Sequence, residues 1–198
     1  MRWRWREEEK FIEIGKNFVV AAPWSKTEKT KITLTEGMAF GTGVHETTIS
    51  CIELLEGLGL NNKTVLDVGG GTGILSVCAS KLGAKKVVAF DIDKKAAFEC
   101  KKNAELNNAN NIYCFCGENL CIREKYNIIM ANIFAEIIIS LSSEIDEHIK
   151  ENGFLVLSGI VYDKNYDVKS TFMKKGYIVC KNTFLEDYTS FLLKKVNR

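Results

Sequence analysis

From about residue 49 onward, short runs of β-branched and apolar residues alternate with longer stretches whose apolar positions recur every three or four residues. That alternation predicts a parallel sheet covered by helices, because a parallel crossover consumes a dozen or more residues and a helix supplies them. The predicted strands are Thr64 to Val68, Lys86 to Phe90, Ile112 to Phe115, Ile128 to Ala131 and Phe154 to Ser158. Helices are predicted near Thr47 to Leu58, Ile74 to Leu82, Lys94 to Asn107, Ala135 to Lys150 and Lys164 to Lys175. In the second of these, Leu75, Cys78, Ala79 and Leu82 share one face, and Gly83 follows where a left-handed residue ends a helix. The chain closes with Tyr177 to Asn182 and Tyr188 to Lys194 on either side of a polar turn, an antiparallel hairpin at one sheet edge. Before residue 46 the pattern thins to two short strands, Phe11 to Ile14 and Phe18 to Ala21. Residues 1–45 therefore read as an extension and entry loop packed on a domain of residues 46–198.

At 198 residues, the chain has the size of one domain, and 46% hydrophobic with 26% charged residues is ample for a core. A formal charge of +2 gives no support to a polyanion partner, and nucleic acid is not expected. The first thirty residues lack a signal-peptide pattern, and no run reaches the 18 apolar residues that a membrane span needs, so a soluble cytoplasmic protein without a membrane partner is expected. The seven cysteines read as reduced, packed thiols. Their one cluster, Cys114, Cys116 and Cys121, lacks CxxC spacing and a nearby His, and no metal is expected. The alternating Arg2-Trp3-Arg4-Trp5-Arg6 reads as a terminal anchor beside Glu7, Glu8 and Glu9, against a cation and aromatic face for RNA or an acidic partner.

The candidate chemistry begins at Asp67-Val68-Gly69-Gly70-Gly71-Thr72-Gly73, where a strand runs into a helix through glycines. Glycine serves where a turn needs positive φ and where a ligand approaches backbone, and a helix N-terminus offers free amides. A dinucleotide fingerprint, G-x-G-x-x-G, fails here because Ile74 stands at its third glycine. What remains is D-x-G-x-G-x-G, with Gly69, Gly71 and Gly73 as a cradle and Asp67 at the strand end. An acid there disfavours a pyrophosphate and favours S-adenosylmethionine, whose ammonium and sulfonium are cationic. Asp91, 22 positions after Gly69, ends the next strand where a carboxylate can accept both ribose hydroxyls. Asp93 is expected to cap the following helix, and Glu118 to be either an adenine contact or a solvated acid.

Leu34-Thr35-Glu36-Gly37-Met38-Ala39-Phe40-Gly41-Thr42-Gly43-Val44-His45-Glu46-Thr47-Thr48 resembles the stretch that introduces the catalytic domain of the ribosomal protein L11 methyltransferases, with its GTG-x-H-x-TT element after an Ala-Phe pair. Ile14-Gly15-Lys16, Val19-Val20, Pro23-Trp24, Met130-Ala131-Asn132-Ile133 and Leu157-Ser158-Gly159-Ile160 extend the resemblance over about residues 11 to 196. It implies a class I S-adenosylmethionine-dependent methyltransferase: an α/β, Rossmann-like, seven-stranded, mostly parallel sheet with a C-terminal antiparallel hairpin. It also implies cofactor contacts at Thr48, Gly69, Asp91 and Asn132. The chain departs from the family at Thr35-Glu36, where Asp-Pro is usual, and at Glu46, where Pro is usual. The family's N-terminal domain, which recognises L11, has only about thirty residues in its place here, so cofactor and reaction are implied with more force than L11 itself.

Methyl transfer from a sulfonium is an in-line displacement, so alignment and exclusion of water are the enzyme's main tasks. The side-chain carbonyl of Asn132 can accept the N–H of an amine and aim its lone pair, without a charge that would hold the amine as ammonium. His45 is a candidate general base, against a structural role in its loop. N-methylation of a protein lysine or α-amine is expected. The alternatives are a small-molecule acceptor, an RNA acceptor disfavoured by Ile133-Phe134 where a proline-aromatic pair would stand, and a non-catalytic cofactor-binding subunit.

Overall fold

A computed structural model describes residues 11–35, 45–117 and 123–196. The Arg2 to Arg6 segment, Glu36 to Val44, Glu118 and Cys121 lie outside the described residues. Strands β4 (Thr64–Val68), β5 (Lys86–Asp91), β6 (Ile112–Cys116), β7 (Tyr126–Asn132), β8 (Ile149–Val161), β9 (Tyr177–Phe184) and β10 (Tyr188–Lys195) form one seven-stranded sheet in the order β6-β5-β4-β7-β8-β10-β9. Neighbours from β6 to β8 run parallel, and β10 is antiparallel to both β8 and β9. The chain builds outward from β4 to β6, then returns to lay β7 on the other side of β4. Between β4 and β7 the direction of winding reverses, and in open α/β sheets such a reversal opens a crevice at the carboxyl ends of the strands.

Both sheet faces are covered, which is why the central strands read as continuous apolar runs. On one face Val65, Ile128, Met130 and Val156 pack against α1 (Glu46–Glu56) and α2 (Ile74–Lys81) through Cys51, Leu55, Val77 and Cys78. On the other, Leu66, Ile129, Leu155 and Leu157 meet α4 (Ala135–Ser140), α5 (Ser142–His148) and α6 (Asn165–Lys174) through Ile138, Ile145, Val168 and Phe172. The N-terminal strands β1 (Phe11–Glu13), β2 (Phe18–Ala21) and β3 (Thr30–Ile32) form a separate three-stranded sheet. Its Phe18, Val20 and Ile32 belong to the same apolar cluster as α1 and α2. The Glu56 carboxylate, accepting the amides of Lys16 and Asn17 at 2.9 and 2.7 Å, ties its turn to the end of α1.

Two elements differ from the expectation. The helix predicted over 135–150 breaks at Leu141, and Ile149 and Lys150 already belong to β8. Ile149 is buried opposite Tyr126 of β7, so pairing in the sheet takes these residues from the helix. A left-handed Asn152 beside Gly153 then marks an irregularity before the regular ladder from Phe154. Strand β3, with only one buried side chain in Thr30-Lys31-Ile32, has no hydrophobic alternation to announce it and exists through its parallel pairing with β2. The two described members of the cysteine cluster share strand β6 and differ in how far they are covered. Cys114 turns inward to Cys100 of α3 (Lys94–Leu106), sulfur to sulfur at 3.1 Å, while Cys116 is exposed.

Candidate active site

The glycine segment after β4 turns in three left-handed steps, at Gly69 (φ 73°), Gly71 (φ 55°) and Gly73 (φ 78°), and delivers the chain into α2. Two of these glycines are required by packing as well as by φ. A Cβ on Gly69 would collide with the side chain of Ile133 in the loop after β7, and one on Gly73 would stand 2.5 Å from Cys100 Sγ of α3. The loop is thus wedged between β7's exit and α3.

Its amides are largely spoken for. The N–H groups of Gly69 and Gly70 donate to the Phe90 carbonyl at 2.8 and 3.0 Å, that of Gly73 to the Gly70 carbonyl at 2.8 Å, and that of Gly71 to Asp91 Oδ2 at 2.9 Å. A phosphate site at a helix N-terminus depends on unpaired amides pointing at the ligand. The expectation of free amides does not hold at these four positions, and the loop offers an anion correspondingly little.

Asp67, expected at the strand end as a cofactor-binding acid, is buried there. The side chain is 1% exposed and lies beneath the loop, where it accepts from Ser76 Oγ at 2.6 Å and from the Ser76 backbone. Burial pushes its pKa up to about 6, opposed by the Ser76 hydroxyl and reinforced by the Asp91 charge. Near neutral pH it remains mostly ionised, so it acts on the cradle through its field and by holding the first turn of α2.

Asp91, at the end of β5, accepts from Gly71 N through Oδ2 and from Asp93 N through Oδ1, both at 2.9 Å. Each carboxylate oxygen keeps a further lone pair for a ligand. The next acid caps α3 as expected, with Asp93 Oδ1 accepting from Lys95 N at 2.8 Å.

At the other lip, Asn132 ends β7 in register with Ser158 of β8. Its Nδ2 donates to Thr48 Oγ1 of α1 at 3.4 Å, so two residues 84 positions apart meet here. Its Oδ1 is buried and accepts no hydrogen bond. His45 sits at the N-cap of α1, its Nδ1 2.8 Å from Thr47 Oγ1 and accepting from Thr47 N at 3.3 Å, with its ring edge-on to Tyr188 at 5.3 Å. A ring nitrogen committed to the cap holds a helix start, which is the structural role weighed against that of a general base for His45. Glu46 beside it accepts the amides of Glu186 and Asp187 in the hairpin turn at 2.8 and 3.2 Å, locking α1 to the β9–β10 turn.

Sequence reasoning passed over a support behind the loop. Asn103 lies on the buried face of α3, and Asn107, buried one turn further on, is its C-terminal cap. Asn103 donates to the Thr72 carbonyl at 2.8 Å and accepts from Thr35 N at 2.7 Å, while Asn107 brackets Thr33 with bonds of 2.8 and 2.6 Å. The glycine loop and the segment entering from β3 are therefore fastened to one helix. The available signal was two Asn at i and i+4 in line with Ala96, Cys100 and Ala104, an apolar stripe where amides must have partners. Gly159 was likewise passed over as a packing position: at φ 77°, a Cβ there would lie 2.6 Å from the Ile133 carbonyl, so the loop after Asn132 is gripped by glycines on both sides.

The arrangement offers two carboxylates around a largely self-paired glycine turn and, beside it, a neutral amide oxygen without a partner. These features fit a ligand with positive charge and a vicinal diol, and a second ligand that donates an N–H. Among the described residues no group of three or more His, Cys, Asp or Glu could hold a metal, and no helix is long and apolar enough to cross a membrane.

Comparison with known proteins agrees with this chemistry. The family model for ribosomal protein L11 methyltransferase (PrmA) matches residues 2–196. A ribosomal protein L11 methyltransferase of Thermoanaerobacter pseudethanolicus is 44% identical over 169 residues, which are 83% of this chain and 55% of that protein. One from Bacillus pumilus is 35% identical over 198 residues, 96% of this chain and 64% of that protein. The chain thus spans somewhat more than half the length of these relatives. The crystal structure of a ribosomal protein L11 methylase from Lactobacillus delbrueckii subsp. bulgaricus superposes with a TM-score of 0.87 at 28% identity, covering 95% of this chain and all of that one. The fold is that of the class I S-adenosylmethionine-dependent methyltransferases.

Proposed function

The chain belongs to the ribosomal protein L11 methyltransferase family, and on that premise we propose that it is an N-methyltransferase acting on a lysine or α-amine of a ribosomal protein of the L11 kind. S-adenosylmethionine, the donor of this family, supplies a methyl group on a positively charged sulfur when bound. Asp91 would take the ribose hydroxyls on lone pairs that its two backbone bonds leave over, and Gly69, Gly71 and Gly73 would give the backbone the shape against which the ligand lies. Asp67 contributes a negative field from beneath the loop. Thr48 and Asn132 close the far side.

The observation that carries the proposal is the buried, unpartnered Oδ1 of Asn132. A buried acceptor without a donor costs about 1–3 kcal/mol, a cost recovered when a ligand N–H arrives. The bond from Nδ2 to Thr48 fixes the amide through its nitrogen and leaves this oxygen as the uncommitted end of the side chain. Being neutral, it accepts an amine N–H without stabilising the ammonium form, and so keeps a lone pair available for the displacement. His45 supports this from a distance by holding the start of α1 and with it Thr48. The reaction would take place in the cytoplasm.

The test is transfer of labelled methyl from S-adenosylmethionine into purified L11 and, in parallel, into a cell lysate fractionated by size, with calorimetry of S-adenosylmethionine and of NAD. We expect label on a protein amine and binding of the first cofactor only. Label confined to the protein-free fraction would move the acceptor to a small molecule, and tight cofactor binding without transfer to any fraction would make the chain a non-catalytic subunit.

A further inference from the structure

Beyond the reaction centre, the same C-terminal edge of the sheet carries a surface that the proposed chemistry does not use. Phe134, two residues after Asn132, is 69% exposed at the start of α4. Tyr162, just past β8, is 45% exposed, and Phe184, the last residue of β9, is 63% exposed. The rings of Tyr162 and Phe184 lie together with centroids 5.9 Å apart. Contacts connect these rings to the centre in a closed circuit. Asn132 meets Thr48 on α1, Glu46 on α1 holds the hairpin turn that follows Phe184, and Tyr162 opens the short turn whose Lys164 reaches Glu136 of α4, two residues after Phe134, at 3.9 Å.

The charge of this rim is one-sided. Glu136, Asp163, Glu186 and Asp187 are all exposed. Among the described residues 132–137, 158–165 and 183–189, Lys164 is the one basic side chain, and it is engaged by Glu136 and by Asp167 at 3.9 Å. The side chains of Glu186 and Asp187 are not needed to hold the turn, since Glu46 binds their backbone amides.

Exposed aromatic rings of this kind in a row of acids suit a partner that brings apolar stems and positive charge together. We infer that the rim formed by Phe134, Tyr162 and Phe184 with Glu136, Asp163, Glu186 and Asp187 is the surface that selects the acceptor, taking a lysine-rich polypeptide segment. Lysine stems lie along the Tyr162 and Phe184 rings, flanking ammonium groups meet the acids, and the reacting amine enters beside Asn132. This inference rests on the proposed function for the identity of the reacting group, but not for the docking itself.

The experiment therefore separates docking from transfer. Anisotropy of dye-labelled L11 measures binding without turnover, in wild type, in Tyr162→Ala/Phe184→Ala and in Glu186→Lys/Asp187→Lys, with S-adenosylmethionine affinity measured beside it. Both variants are expected to weaken L11 binding tenfold or more, with cofactor affinity within twofold of wild type. Salt should weaken binding to wild type and have less effect on the charge-reversed variant. These substitutions lie at exposed positions, and unchanged unfolding midpoints will show that the fold is kept. Unaltered L11 binding in both variants, or tighter binding of a labelled single-stranded RNA than of L11 to the wild type, overturns the inference. Rim-dependent binding without any methyl transfer would instead sink the proposed function and leave the docking surface in place.

Discussion

The two lips of the crevice are built from different materials. On the β4 and β5 side the contacts are backbone and nearly every group is satisfied: the amides of Gly69, Gly70, Gly71 and Gly73 have partners, Asp91 accepts two amides, and glycine is enforced where a Cβ would strike Ile133 or Cys100. On the β7 and β8 side the contacts are side chains, several of them exposed, around an amide oxygen left without a donor. A ligand of fixed shape suits a rigid backbone mould, since preorganisation lowers the cost of ordering on binding. An acceptor is read by side-chain chemistry, which can be changed without disturbing the mould.

The largest effect comes from the mould. Gly69→Ala forces a side chain into a left-handed position and against Ile133, and we expect a loss of about 2–4 kcal/mol in stability from strain and overpacking together. Cofactor affinity should fall in parallel, as calorimetry and urea unfolding can show. A variant as stable as wild type would mean that the two lips are not in the contact described.

On the acceptor lip the effect should fall on rate. Asn132→Ala is expected to lower turnover by roughly 10²-fold while cofactor affinity drops much less, because alignment acts chiefly in the transition state. Asn132→Asp should shift the pH–rate profile to higher pH by holding the amine as ammonium. Equal losses of affinity and rate would assign Asn132 to the cofactor side and erase the distinction between the lips.

Asp67 tests the mould through pH. Its pKa is raised from 3.8 to about 6, so its stabilising contribution is complete below about pH 4 and is lost as pH rises through 6. The shift corresponds to about 3 kcal/mol. Asp67→Asn should remove that slope and, after about 1 kcal/mol for an amide N–H left without a partner, gain about 2 kcal/mol at pH 7. The same variant should bind S-adenosylmethionine more weakly, having lost the field beneath the loop. Unfolding midpoints between pH 4 and 7 that track wild type at every point would contradict the burial described.

The smallest effect is expected at His45. Replacing it by Ala removes the cap of α1 and should cost about 1 kcal/mol of stability. Turnover should follow only as far as Thr48 shifts, and added imidazole should not restore it. Chemical rescue by imidazole would return His45 to the role of general base.

Local rules made most of the fold legible. The limits of β4, α2 and α3 agree with the expectation to within one residue, because each is announced by apolar period and by a stop or cap such as Gly83 or Asp93. Asp91 could be nominated from its spacing after the glycines and Asn132 from the family resemblance, and both stand at strand ends, where ligands of a parallel sheet bind. The helix over 135–150 and strand β3 were not legible, since Ile149 takes its conformation from its sheet partner Tyr126 and Thr30-Lys31-Ile32 from β2, and neither pairing leaves a local periodicity.

What the sequence determined by itself is therefore most of the elements of the main domain, their order along the chain, and the residues that stand at the strand ends. Tertiary structure alone decided which groups remain available once packing is complete. It sent Asp67 under the loop to Ser76, paired the four loop amides, turned His45 into a cap, and joined Asn132 to Thr48 with one oxygen to spare. The physical reason is that a hydrogen-bond donor or acceptor is defined by what else it touches. Those contacts join residues far apart along the chain, where no periodicity records them.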